Sequence, residues 1–309
     1  MAFLLFLTIT PFFLPYVTQG VAGHGFVHQV NIGGEDYPGW NPFSDPYQNP
    51  IPQRVIRKIK DDGPVPPTSS DMNCNIGGDP GTSIVADIDA GSQVIFKWDY
   101  VHHQGPVSTY MASCGDDCTQ SSASSAKWFK IDAGGYDPNT RQWAADQLRA
   151  SGNTWTSTIP AQLKAGQYLM RHEIVALHSQ TPQFYPSCTQ VRLNGSGTGT
   201  PSDSDLTTIQ DLYRGVNWPF IYGDFGTFTI PGPAPVTFGD NPGPSAGGTT
   251  TPRPSASYSS SSSTPTGSGI SGGQQPSNTS TTAPAAAATG HCRLKSRSFV
   301  KKRLIRSKY

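Results

Sequence analysis

Gln93-Val94-Ile95-Phe96-Lys97-Trp98 and Tyr168-Leu169-Met170-Arg171-His172-Glu173-Ile174-Val175 are the runs on which the fold turns. Both are rich in β-branched and aromatic side chains, which suit a pleated, half-buried strand. Turn clusters separate such runs: Asp61-Asp62-Gly63-Pro64, Asn75-Ile76-Gly77-Gly78-Asp79-Pro80-Gly81 and Ala133-Gly134-Gly135-Tyr136-Asp137-Pro138. Many short strands between Gly/Pro turns predict an all-β fold, a β-sandwich with long loops. Only Ala144 to Ala150 reads as helix, and no internal repeat is present.

Working outward, the 309 residues are 14% charged and 35% hydrophobic and include 33 Gly and 28 Pro, which excludes a helical bundle or coiled coil. Residues 1–23 open MAFLLFLTITPFFLPYV without a charged side chain and end Val21-Ala22-Gly23, the pattern of a secretory signal peptide cut before His24. Pro11 and Pro15 interrupt the apolar run, so a lasting membrane anchor is not expected. Residues 24–240 form one globular module. Residues 241–290 are Gly, Pro, Ser, Thr and Ala with Tyr258 and Ile270 as the large apolar exceptions, a composition that cannot bury a core and reads as a disordered linker. Residues 291–309 are a short basic tail. The module carries 13 basic against 21 acidic residues, a net charge of −8, which disfavours nucleic acid as a partner.

Five cysteines in an exported chain imply disulfides with one left over. Cys114 and Cys118 are close enough to staple a local loop, and Cys74 with Cys188 would close a span of 114 residues. Cys292 sits in the tail. Four cysteines admit three connectivities, and spacing alone leaves them open. Asn194-Gly195-Ser196 and Asn278-Thr279-Ser280 are acceptor sequons for N-glycosylation.

Three places could carry chemistry. A chain beginning at His24 would offer two nitrogen donors on one residue, the free α-amine and the imidazole. A third nitrogen would complete a planar set of the kind Cu(II) prefers, with oxygen ligands above or below. Tyr100-Val101-His102-His103-Gln104-Gly105-Pro106 holds adjacent histidines, which point to opposite faces of an extended segment, so at most one serves a given metal. Read plainly, the same stretch is an exposed polar loop. In Gln183-Phe184-Tyr185 an extended backbone puts Gln183 and Tyr185 on one face while Phe184 points into the core. A buried tyrosine satisfied by a glutamine would look the same. His24 and His28 lie four apart in a β-rich context, and no His-Glu-x-x-His motif is present.

Taken together and in order, His24 after the leader, His103-Gln104-Gly105-Pro106, Ala176-Leu177-His178, Gln183-Phe184-Tyr185 with Cys188, and Ile230-Pro231-Gly232-Pro233 resemble the fungal copper-dependent lytic polysaccharide monooxygenases, the cellulose-active auxiliary-activity family formerly classed as glycoside hydrolases. The resemblance covers residues 24 to about 238. It implies an immunoglobulin/fibronectin-like antiparallel β-sandwich with a few short helices. It implies one copper ion held by the amine and ring of His24, the ring of His103 and the phenol of Tyr185. His178 and Gln183 match the pair that hydrogen-bonds the oxidant, Cys74 and Cys188 the long-range disulfide, and Cys114 with Cys118 a bridge found in some members. The implied enzyme is secreted and monomeric. It cleaves cellulose or a related β-glucan at C1 or C4 with molecular oxygen or hydrogen peroxide and an external electron donor.

Two departures stand out. The tail has one Cys and no aromatic triad, so it is not expected to be a cellulose-binding module. Phe228 stands where the family often has a tyrosine before Ile-Pro-Gly-Pro, leaving a flat substrate contact without its hydroxyl. A glycoside hydrolase would need two placed carboxylates, and Glu35 and Glu173 are the chain's two glutamates. A non-catalytic copper- or carbohydrate-binding sandwich is the other rival, and it would release no oxidised oligosaccharide.

Overall fold

Gln93–Trp98 is a strand whose alternation is visible in burial: Val94, Phe96 and Trp98 are buried and Gln93 is exposed. The computed structural model describes residues 24–101, 103–223 and 225–238. The leader 1–23, the linker 241–290, the tail 291–309, His102, Asn278 and Cys292 lie outside the described residues.

Strands β1 (Val27–Ile32), β2 (Glu35–Pro38), β4 (Gln93–Trp98) and β9 (Thr154–Thr158) make a four-stranded antiparallel sheet in the order β2-β1-β4-β9. A second sheet has the order β3-β11-β10-β5-β6, from β3 (Ala86–Asp89), β5 (Val107–Ser113), β6 (Phe129–Gly134), β10 (Gly166–Ala176) and β11 (Gln183–Asn194). Its pairs are antiparallel except β3 with β11, which run parallel. A two-stranded ribbon, β7 (Tyr136–Asp137) and β8 (Gln142–Trp143), leads into helix α1 (Ala144–Ala150). The Asp146 carboxylate closes the start of α1 by accepting from the Trp143 N–H at 2.9 Å. A second short helix, α2 (Ile209–Leu212), is one of the few the resemblance implies, though the residues did not mark its position; it starts where the Thr208 hydroxyl accepts from the Asp211 N–H.

The larger sheet is covered on both faces. Between the sheets lie Val30, Ile32, Val94 and Phe96 against Val107, Met111, Met170, Ile174 and Val191. On the opposite face, loops close over Trp128, Leu169, Val175 and Phe184 with Val65, Met72, Trp143 and Ile209. Phe184 therefore points into a core, but the second one, while Tyr185 joins the core between the sheets. Each such large side chain contributes about 1.5–3 kcal/mol on burial.

Burial of β10 on both faces forces its charged residues to find partners. Arg171 and Glu173 pair at 2.6 Å with no exposure. The guanidinium also donates to Met72 O and Asn73 O, and Glu173 accepts from the Tyr213 hydroxyl. Buried ions need such partners because desolvation otherwise exceeds their attraction. The cysteines adopt one of the three pairings, Cys74–Cys188 and Cys114–Cys118, with Cα–Cα distances of 5.2 and 5.0 Å.

Candidate metal centre

Three segments meet at one end of the sandwich. The Phe26 N–H donates to Asp99 Oδ1 at 2.8 Å, and the Asp99 N–H donates back to Phe26 O at 3.1 Å. Gly25 passes so close to the main chain that a Cβ there would lie 1.9 Å from Tyr100 O. The N-terminal segment is thus docked on the chain beyond β4, and His24 is exposed there.

The second segment is a strap, residues 103–106, running beside the end of β10. Gln104 O and Pro106 O accept from the N–H groups of Leu177 and Val175 at 2.9 and 3.0 Å. At Gly105 a Cβ would stand 1.8 Å from Val175 O, so glycine is what lets the strap lie flat. The strap places the His103 ring on the His178 ring, with centroids 3.5 Å apart and planes within 10°.

The third is the start of β11. Gln183 and Tyr185 share the face toward the other sheet, and the Tyr185 hydroxyl donates to Gln183 Oε1 at 2.8 Å. Tyr185 is 5% exposed and faces both imidazoles: its ring centroid lies 6.3 Å from that of His24 and 6.4 Å from that of His103. The five residues His24, His103, His178, Gln183 and Tyr185, spread over 162 positions of sequence, form one group.

Burial raises the Tyr185 phenol above the ordinary tyrosine range, so it is a neutral oxygen donor near neutrality. Burial, and secondarily the charge of His24, lowers His178 below the ordinary imidazole value, which favours its neutral ring. His178 Nδ1 is buried without a hydrogen-bond partner. A small cavity of about 20 Å³ lies behind the group, lined by Gly25, Trp98, Tyr100, Val101, His103 and Tyr185.

Among the described residues no group of three or more His, Cys, Asp or Glu side chains could hold a metal ion. The described residues thus hold no group of the usual three or four such zinc ligands. Two imidazoles and a phenol do converge. A third nitrogen is available from the main chain of His24 once its bond to Gly23 is cut, and that nitrogen-rich set fits copper. The carboxylate route is closed on one side: Glu173 is sealed in its ion pair with Arg171.

The profile of Auxiliary Activity family 9, formerly GH61, matches residues 24–224 and begins on His24. The chain belongs to Auxiliary Activity family 9. It is 42% identical over 245 residues to lytic polysaccharide monooxygenase B of Gloeophyllum trabeum, spanning 74% of this chain and 96% of that protein. Against lytic polysaccharide monooxygenase B of Geotrichum candidum the identity is 38%, over 77% of this chain and 68% of the relative. The solved extended catalytic domain of H. jecorina LPMO9A superimposes with a TM-score of 0.64 at 32% identity, covering 69% of this chain and 91% of that one. As a family 9 member the chain is a copper-dependent polysaccharide monooxygenase, an oxidoreductase.

Other residues of this family 9 chain fall elsewhere. Phe228 is half-buried, 5.3 Å from Trp143 and 6.0 Å from Trp218 by ring centroids, as part of the second core, and no described ring contact joins it to His24 or His103. Asn194 is exposed at the end of β11. Sequence reasoning missed Asp99, which anchors the N-terminal segment, and Gly25, whose position beside His24 was the available signal. It also missed Phe43, which meets Phe26 edge-on at 6.5 Å.

Proposed function

We propose that the chain is exported, cut after Gly23, and works as a monomer on cellulose or a related β-1,4-glucan. Cleavage is oxidative, at C1 or C4, with molecular oxygen or hydrogen peroxide and electrons from an external donor. The convergence of His24, His103 and Tyr185 carries this reading, and the family match that begins on His24 supports the processing site. The amine and ring of His24 and the ring of His103 would hold one copper ion, with Tyr185 as the oxygen ligand. Copper bound there supplies the redox chemistry by which the oxidant removes hydrogen from a sugar carbon.

The remaining work belongs to the chain's own residues. The stack on His178 and the strap 103–106 fix the His103 ring before any metal arrives, so little ordering is left to do on binding. Gln183 holds the Tyr185 hydroxyl proton and with it the orientation of the phenol oxygen. His178 Nδ1 is the unpartnered buried group that can hydrogen-bond the oxidant. The cavity at the group is far below the about 300–1,000 Å³ of a ligand-sized pocket, so the glucan lies across an open face. Phe43, exposed and in edge-on contact with Phe26, extends that face beside the N-terminal segment, and Phe228, half-buried against the second core, is proposed as a flat substrate contact.

Mass spectrometry of the oligosaccharides released from cellulose, with and without a reductant, tests the proposal. Oxidised products that require the reductant are expected, and their masses and fragmentation assign C1 or C4. Release of unoxidised oligosaccharides at equal rate without reductant would overturn it.

A further inference from the structure

Far from the metal group, the last residue of β11 carries an unused acceptor sequon. Asn194 is exposed, its main-chain carbonyl accepts from the Ala90 N–H at 2.8 Å, and the chain bends at Gly195 and Ser196. It lies eleven residues along β11 from Gln183, roughly 35 Å at the strand rise, so a group attached there leaves the metal face clear.

Asn194 also lines an open groove of about 570 Å³. The groove is polar: Asn31, Asp87, Asp89, Ser92 and Gln93 line it with Asn194, drawn from both sheets. Asp87 and Asp89 are outward positions of β3, the end strand of its sheet, while Ala86 and Ile88 turn inward. An end strand offers unpaired main-chain groups to another chain unless something covers it.

We propose that Asn194 is N-glycosylated and that the first sugars of its glycan lie in this groove, covering the edge at β3. The proposal rests on the reading of the chain as exported. In the transfer, the Asn194 amide nitrogen loses a proton and bonds C1 of N-acetylglucosamine. The bond from C1 to a lipid-linked diphosphate breaks, and the lipid diphosphate leaves with the bonding electron pair on its oxygen, balanced by the proton the amide gave up. The donor is the lipid-diphosphate oligosaccharide of the secretory pathway. The acetamido N–H and hydroxyls of the sugar donate to the carboxylates of Asp87 and Asp89, and the amides of Asn31 and Gln93 can both donate and accept.

The test is made on full-length protein secreted from a fungal host, behind its own leader and, in parallel, behind a heterologous one. Failure of the native leader alone would count against export, whereas the second preparation still tests Asn194. Peptide mapping should show a glycan on Asn194 that peptide N-glycanase removes; an unmodified asparagine in the secreted protein overturns the proposal. Groove docking predicts that release from the native protein is about tenfold faster in the Asp87→Ala/Asp89→Ala variant, the factor equivalent to about 1.4 kcal/mol of retention. Circular dichroism and the melting curve check that this variant is folded. Equal release rates from folded variant and unsubstituted protein would leave the glycan in solvent and defeat the docking.

Discussion

His24 can offer its main-chain nitrogen to a metal only after the bond to Gly23 is cut, because a peptide nitrogen shares its lone pair with the carbonyl. A protein that retains Gly23, or carries an added Met before His24, should bind copper much more weakly than one with the native terminus. Isothermal titration of both forms measures this, and equal affinities would remove the amine from the ligand set. A second residue-scale prediction concerns His172, stacked on Phe96 at 4.0 Å and fully buried. Its Nε2 accepts from the Trp98 indole N–H at 3.2 Å, so its Nδ1 carries the proton toward Thr109 Oγ1 at 2.9 Å. Thr109, Ser157, Trp155 and Asp132 continue the network. Burial, then the charge of Arg171, lowers His172 from 6.5 to about 3. The folded state thus excludes a proton that the unfolded chain takes up below about pH 6.5. Its contribution to stability is complete above that pH and is lost as pH falls toward 3. Burial raises Asp132, which favours its protonated form and acts in the opposite sense. His172→Gln keeps a donor and an acceptor but no titration, so its melting temperature should fall less steeply between pH 6.5 and 3 than that of the unsubstituted protein. Parallel profiles would exclude His172 as the cause.

The strap 103–106 is the element that converts a loop histidine into a placed one. Its hydrogen bonds to Val175 and Leu177 extend the β10 edge beyond its partner β5, and Gly105 permits the contact. Gly105→Ala would drive a methyl group into Val175 O and push the strap off β10. A loss of about 2 kcal/mol is expected from such overpacking. Copper affinity should fall as well, because His103 would leave its stack on His178. Denaturant titration with copper titration checks both; a destabilised variant with unchanged affinity would mean that the strap does not position His103.

Over the whole molecule, the Cys74–Cys188 bridge ties the loop layer to β11 within the second core and closes a span of 114 residues. By chain entropy such a closure stabilises the fold by about 5 kcal/mol. Cys74→Ala/Cys188→Ala should lower the denaturation midpoint accordingly while the two sheets persist, since the bridge lies in the second core and not in the core between the sheets. Chemical denaturation followed by circular dichroism measures the loss. A shift below about 1 kcal/mol would place the bridge's contribution in the unfolded chain's residual structure.

The sequence by itself determined the β-sandwich class, the strands at 93–98 and 168–175, the helix at 144–150 and the types of residue suited to copper, because strand alternation, turn chemistry and ligand chemistry are local properties. Gln183 and Tyr185 share a face for the same reason: two residues along a strand is one period. The resemblance, carried by motifs in order, supplied the pairing of the cysteines and the roles proposed for His103 and His178. What only the tertiary structure decided is non-local. The second core was hidden because a strand buried on both faces, such as β10, shows no alternation to separate them. The parallel β3–β11 pair depends on a long crossing between sheets that has no local signature. Asp99 and the Gly25–Tyr100 contact hold His24 across more than seventy residues, and such a contact exists only when the sheets have packed. The metal group is likewise a product of packing: β11, the strap and the N-terminal segment reach one point because two cores fix where their ends lie.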